Sequence, residues 1–332
     1  MSTPDAPRRT SLTRRQVIAL GGGAFVLALT PALLRRRSHL VTRSIPVMGT
    51  IAEVVIVHDD RDEAERAIDL AFERLRWVDS AMSRFMPSSD VGRVNAGAGR
   101  DAVPVGAETA RVVAEAVRWA EATDGLFDPG LARLMDVWDV SNRHEPPPAL
   151  VYTRFAGRHL YRAITVDRFQ DHPVIRLDSP EAAIDLGSIA KGYSVDLAID
   201  ALKAVGIRHA VVNNGGDLYA MGRSERGDKW QVGVRSPQDP SRIDQMLELE
   251  DEAVATSGDY FQGFEYHHRR YHHIMDPALA EPRVTPEHSI SIRADKCMTA
   301  DAGATAVFGL EQATAELMLR RAAPDARIVS AI

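Results

Sequence analysis

The sequence predicts an α+β fold whose size suits one large domain or two interlocked halves, behind a distinct N-terminal segment. Strand-like and helix-like patterns are mixed without a regular βαβ rhythm, and several long stretches keep a single apolar face at helical spacing. At 45% hydrophobic and 26% charged residues, the 332-residue chain is rich enough in apolar side chains to bury a large core.

Taken in order, Ile51–Val57 reads as a strand leaving the turn Met48-Gly49-Thr50. Residues 62–82 then place Ala64, Ala67, Ile68, Ala71, Leu75, Val78 and Met82 on one helical face. A second helix fits 107–121 through Ala110, Val113, Val117 and Ala120. Residues 82–91 and 124–130 carry turn chemistry, and Pro146-Pro147-Pro148 marks 139–150 as a surface loop. The run Val195, Ala198, Ile199, Leu202 and Val205 keeps helical spacing and stops at Gly206, a C-terminal cap. Short strands are expected at 164–167, 173–177, 209–213, 230–234 and 290–294, and helices at 301–308 and 311–321.

The first 40 residues differ in charge from the rest. They hold seven arginines and one aspartate, net +6, while the whole chain carries −6, so the remaining 292 residues carry −12. An acidic body excludes nucleic acid as a partner, since phosphates need a basic surface. Arg14-Arg15 stand directly before an apolar run from Val17 to Leu34, the arrangement of a twin-arginine export signal. That predicts an exported, periplasmic or otherwise extracytoplasmic protein. The other reading of 1–40 is an uncleaved membrane anchor. The run is only just long enough to span a bilayer, and Gly21–Gly23 and Pro31 weaken it as a helix. No Ala-x-Ala site precedes Arg35-Arg36-Arg37, so cleavage and anchoring both stay open. Cys297 is the only cysteine, which rules out an internal disulfide.

Residues 184–196 are the most informative stretch. Asp185, Gly187, Lys191 and Gly192 sit where a strand pattern runs into a helix pattern. Neither glycine has a Cβ, so backbone can approach a ligand there, and helix-start amides plus one lysine make an anion seat. The order Lys-Gly is not that of a Walker A loop. Farther on, Asp301 and Thr305 lie one helical turn apart and so share a face.

Together, eight segments in order resemble the ApbE family, the FAD:protein FMN transferases. They are Met48-Gly49-Thr50; 82–95 with Met82-Ser83-Arg84-Phe85 and Arg93-Val94-Asn95; Asp124-Gly125-Leu126-Phe127-Asp128-Pro129; and 185–193. Asn214-Gly215-Gly216-Asp217, Thr256-Ser257-Gly258-Asp259-Tyr260, His273-Ile274-Met275-Asp276-Pro277 and Ala300–Thr305 complete the set. The resemblance implies a domain over 44–325 that moves the FMN half of FAD onto a threonine or serine hydroxyl of a flavin-carrier protein. It implies release of AMP and a requirement for Mg²⁺.

Site residues carry over by position. Met48 and Phe85 would border the flavin, with Phe85 standing where tyrosine is frequent. Leu126, Phe127, Asp128 and Met275 would line FAD, and Asp185 and Lys191 would meet its polar parts. Asp301, Thr305 and the backbone oxygen of Ser188 would hold Mg²⁺. Lys191 would neutralise phosphate charge, and His273 would take the hydroxyl proton, with Asp276 orienting it or assisting the metal. Ala280 departs from the family's glycine turn, so that loop is expected to differ.

Blander readings stand beside these. Asp301 and Thr305 also fit a surface carboxylate and a packed threonine, and Asn214–Asp217 a plain hairpin turn. Trp119 and Trp138 read as core. His267, His268, His272 and His273 invite zinc, but neighbours on a strand point to opposite faces, and solvated hairpin histidines fit the other three better than His273. Rival functions are an exported FAD pyrophosphatase, with water replacing the protein hydroxyl, and an FAD-binding protein.

Overall fold

The structure, a computed structural model, describes residues 17–19, 24–28, 39–239, 241–260, 262–286 and 288–332. A seven-stranded antiparallel sheet is laid down in chain order. Its strands are β1 (His39–Val47), β2 (Thr50–His58), β3 (Ala210–Asn214), β4 (Asp217–Met221), β5 (Glu252–Gly258), β6 (Ser289–Ala294) and β7 (Arg327–Ala331). Each pairs with the next, so the two expected halves share one sheet.

The other elements are excursions between neighbouring strands. Between β2 and β3 lie helices α1 (Arg61–Met82), α2 (Ala107–Ala122) and α3 (Ala190–Ala204), with a small three-stranded sheet. A hairpin of Trp230–Arg235 and Ile243–Leu249 separates β4 from β5. Another, of Gly263–Tyr266 and Arg269–His272, follows β5. Helices α4 (Cys297–Val307) and α5 (Gln312–Ala322) separate β6 from β7.

Alternation along β2 explains the layering. Val54 and Ile56 join the core under the helices, while Val55 and Val57 join a second core with Trp230, Val232 and Leu249 of the hairpin on the opposite face. Covering both faces lets β3 and β4 be buried at every residue. Each fully buried valine, leucine or isoleucine contributes roughly 1.5–3 kcal/mol of transfer free energy, so two filled faces outweigh a one-sided sheet.

The α+β expectation holds, and the helices at 62–82 and 107–121 form within a residue of their expected limits. Helix α3 ends in a Schellman arrangement: the Gly206 N–H donates to Lys203 and that of Ile207 to Leu202, with Gly206 at φ +85°. Helix α4 begins at Cys297, four residues ahead of the expected start. It has no side-chain cap of its own; Asp196 on α3 accepts from the Cys297 and Met298 N–H groups instead. A cap supplied from another helix leaves no local sequence signal.

Of residues 1–40, the segment read as an export signal, little is described, and Arg14 and Arg15 lie outside the described residues. Val17–Ala19 pairs with Phe25–Ala28, which pairs in turn with Trp230–Arg235. Phe25 and Leu27 are buried in the second core. Among the described residues no helix is long and apolar enough to cross a membrane.

Candidate active site

Two turns and the end of a third strand pair gather at one end of the sheet. The β1–β2 turn carries Met48 and the β3–β4 turn carries Gly215 and Gly216; pairing of Ala52 with Asn214 and of Ala255 with Asp217 brings both beside the end of β5. Gly215 and Gly216 both have positive φ, as a two-residue hairpin turn demands. The plain-hairpin reading of Asn214–Asp217 is therefore right about the turn, yet the residues flanking it enter the site.

Asp217 Oδ2 lies 2.6 Å from Lys191 Nζ, and Asp301 Oδ1 lies 3.1 Å from the same nitrogen. Burial raises the Asp217 carboxyl to about 7, helped by the Asp301 charge and opposed by Lys191. The two carboxylates hold the Lys191 ammonium far above its ordinary pKa against the opposing effect of burial, so it is always charged. The lysine expected to sit on an anion is thus engaged by two carboxylates. Asp301 Oδ2 accepts the Gly192 N–H at 3.0 Å, and the Thr305 hydroxyl lies 3.2 Å from that of Ser257. Asp301 is buried, so the surface-carboxylate reading fails. Ser188 sits in the turn just ahead of α3.

Gly192 does have a neighbour at close quarters, but it is α4 and not a ligand as the sequence suggested. A Cβ there would stand 2.3 Å from the Cys297 carbonyl oxygen and 2.8 Å from Asp301 Cβ. Gly192→Ala should therefore push α3 from α4 and break the Gly192–Asp301 bond, costing about 1–3 kcal/mol. A thermal melt checks it; an unchanged melting temperature would mean that the helices separate freely.

Asp185 meets Arg84, Nε to Oδ2 at 2.5 Å, and its other oxygen accepts the Gly187 N–H at 2.7 Å. Arg84 also reaches Asp136 and stacks over Phe85. Phe85 itself is 77% exposed, an aromatic face left on the rim. Asn95 clamps the backbone of Ile184 through both its amide atoms, at 2.9 and 2.6 Å, and so fixes the segment that delivers Asp185. Met48 takes φ +52°, donates its N–H to Asp79, and accepts from Asn214 Nδ2, which also donates to Ser194 on α3.

His273 belongs to the same cluster electrostatically. Burial holds its ring below the ordinary value, the Lys191 charge acts in the same direction, and Asp185 and Asp259 oppose it. Its Nδ1 is buried without a hydrogen-bond partner. Asp276 does not orient it: Oδ1 of Asp276 accepts from Ala278 and Leu279 N–H within its own turn. His272 is not the solvated histidine the hairpin pattern suggests. It is 2% exposed, accepts the Ile274 N–H on Nδ1 and donates from Nε2 to the Arg283 carbonyl, and burial lowers it to about 4. Stability linked to this neutral ring is present above pH 6.5 and drains as pH falls toward 4. His267 and His268 form the hairpin tip, and among the described residues no three His, Cys, Asp or Glu side chains converge on a metal-holding group.

Phe127 is buried against Trp119, and Trp138 donates to the Ala280 carbonyl, so both tryptophans are core residues. Ala280 stands at φ +57° in a turn whose N–H returns to Asp276; the glycine-type conformation survives the substitution, with its strain. Burial raises Asp128 to about 7, and Oδ1 accepts the Gly130 N–H while Oδ2 has no partner. Arg283, which no pattern singled out, is buried and bonds five carbonyls: Leu126, Met275, Thr305, Ala306 and Phe308. It ties the loop of Leu126 and the strand of Met275 to the end of α4.

A profile of the ApbE family matches residues 48–329. A Vibrio cholerae protein named FAD:protein FMN transferase is 29% identical over 290 residues, 86% of each chain. One of the same name from Treponema pallidum is 32% identical over 297 residues, 83% of this chain and 80% of its own. A solved ApbE protein from Thermotoga maritima superposes with a TM-score of 0.76 at 26% identity, covering 87% of this chain and 93% of its own.

Proposed function

The chain belongs to the ApbE family and is a flavin transferase acting on FAD, and we propose that it transfers FMN to a threonine or serine hydroxyl of an acceptor flavoprotein, with Mg²⁺ as its metal. The observation that supports this reading is the ion pair of Lys191 with the buried carboxylate of Asp301, brought together from two separate excursions of the chain.

The donor set fits a hard divalent cation: a buried carboxylate on Asp301, the Thr305 hydroxyl and the backbone oxygen of Ser188 are all oxygen ligands. Mg²⁺ bound there would supply charge neutralisation at the pyrophosphate. Lys191 adds a fixed positive charge next to it. Phe85, exposed at the rim with Arg84 beneath, offers a face for the flavin ring. Phe127 and Met275, both buried, and Leu126 and Asp128, both partly buried, would line FAD.

In the transfer, the acceptor oxygen forms a bond to the FMN phosphorus as the bond from that phosphorus to the AMP oxygen breaks. The hydroxyl proton passes to His273, whose depressed pKa keeps the ring neutral and able to accept it. His273→Ala should retain FAD and lose about 10²–10⁴-fold in transfer. The acid limb of the pH–rate profile should lie below pH 6.5, since the base stays unprotonated past the ordinary histidine value. Mass spectrometry of a carrier protein reads both; unchanged transfer would place the base elsewhere.

The arginine pair ahead of the apolar run supports export by the twin-arginine route, with action outside the cytoplasm and the N-terminal segment either removed or left as an anchor. Sequencing the N-terminus of the exported protein decides between the two.

A further inference from the structure

Lys191 Nζ lies between two carboxylates that are themselves almost wholly buried, 2.6 Å from Asp217 and 3.1 Å from Asp301. Two buried anions so close need a cation between them, and the ammonium supplies it. Asp301 has divided its oxygens. Oδ2 accepts the Gly192 N–H, so Oδ1, the oxygen facing Lys191, is the one open to a second cation. A divalent ion drawn to Oδ1 would stand close to the ammonium already bonded there, and the repulsion between the two cations favours release of the longer lysine contact.

We propose that Lys191 is the resident counter-cation of Asp301 and is handed over to Asp217 when a divalent metal binds. The inference rests on the metal reading of Asp301 and Thr305. Asp217 is then a positioning residue: it ligates nothing, and it receives the ammonium. The shorter of the two ion pairs is the one retained and the longer is the one given up. Asp301 keeps its Gly192 N–H throughout, so it is never left without a donor. Lys191 is the more open partner, its side chain 27% exposed against 3% for each carboxylate. An ammonium held by Asp217 alone has two of its three N–H bonds free for a phosphate on that open side. Metal binding thereby frees a second N–H for a phosphate, where the lysine shared by two carboxylates has only one to offer.

The direct test is a pair of crystal structures of the whole protein, metal-free and soaked in Mn²⁺, with the ion located by its anomalous signal. The expected result is Mn²⁺ on Asp301, with Lys191 Nζ beyond about 4 Å of Asp301 and within about 3.2 Å of Asp217. Nζ still bonded to Asp301 beside the ion would overturn the hand-over while leaving the metal site standing. No ion at Asp301 would overturn it together with the metal reading. In solution, Lys191→Met removes the internal competitor, so Mn²⁺ titrated by electron paramagnetic resonance should bind about tenfold tighter or more. Equal or weaker binding counts against the proposal. Should that variant fail to fold, the crystal pair on the unaltered protein decides alone.

Discussion

Asp301→Ala is expected to abolish FMN transfer, by about 10³-fold or more, while most of the fold survives. The carboxylate pairs with Lys191 and accepts the Gly192 N–H, and in the proposed function it also offers the charged oxygen for Mg²⁺. Losing a preorganised charged group at a reacting phosphate is worth at least as much as losing an oxyanion-hole donor, about 10²–10³ in rate, and loss of the metal adds to it. The buried Gly192 N–H left without an acceptor costs a further ~1–3 kcal/mol of stability. Asp301→Asn separates the two effects. An amide oxygen can still accept from Gly192, so the fold should recover, whereas the missing charge should leave transfer dead. Carrier mass after incubation with FAD and Mg²⁺ is the readout. Full transfer with ordinary Mg²⁺ dependence in either variant would remove Asp301 from the metal site.

The second large effect is on stability. Arg283→Met should cost at least ~3 kcal/mol, because one buried guanidinium satisfies five carbonyls and a methionine satisfies none. Burial has already lowered the Arg283 pKa to about 10, so the group is desolvated and its carbonyl bonds are what hold it. The carbonyls of Thr305, Ala306 and Phe308 lie at the C-terminal end of α4, where positive charge also opposes the helix dipole. Without the arginine, that end of α4, the Leu126 loop and the Met275 strand lose their common tie. Chemical denaturation measures the loss; a midpoint within error of the parent would show that water replaces the guanidinium at little cost. FAD affinity should fall along with stability, since the proposed function has Leu126 and Met275 lining FAD.

Much of this was legible in the chain. Helices α1 and α2 announce themselves because burial on one face writes a 3.6-residue period into adjacent sequence. The segments 185–193 and 300–305 mark the site because a lysine, a carboxylate and small residues at fixed offsets are visible locally. Other parts leave no such mark. Strands β1, β4, β5 and β7 are not among the expected ones: β4 is buried on both faces and β7 is a partly exposed edge, so neither carries the period of a half-buried strand. Asp217 reads as the end of a Gly-Gly turn, and only the pairing of β4 with β5 and the packing of α3 set it against Lys191. Arg84 was overshadowed by Phe85 beside it, and Arg283 lies in no motif. His272 reads in sequence as a solvated hairpin residue; its burial comes with the Arg283 carbonyl and the Phe308 ring, which meet it only in the folded chain.

By itself, then, the sequence determined the class of fold, the limits of its long amphipathic helices, the acidic character of the body and the set of motifs that assign the family. Each of these is a property of residues within a turn or two of one another, or of the whole composition. The tertiary structure alone decided which groups meet: Lys191 with Asp301 across 110 positions, Lys191 with Asp217 across 26, and Arg283 with Leu126 across 157. Those distances are closed by sheet register and by a helix crossing that only glycine at 192 permits, and neither is written in local periodicity.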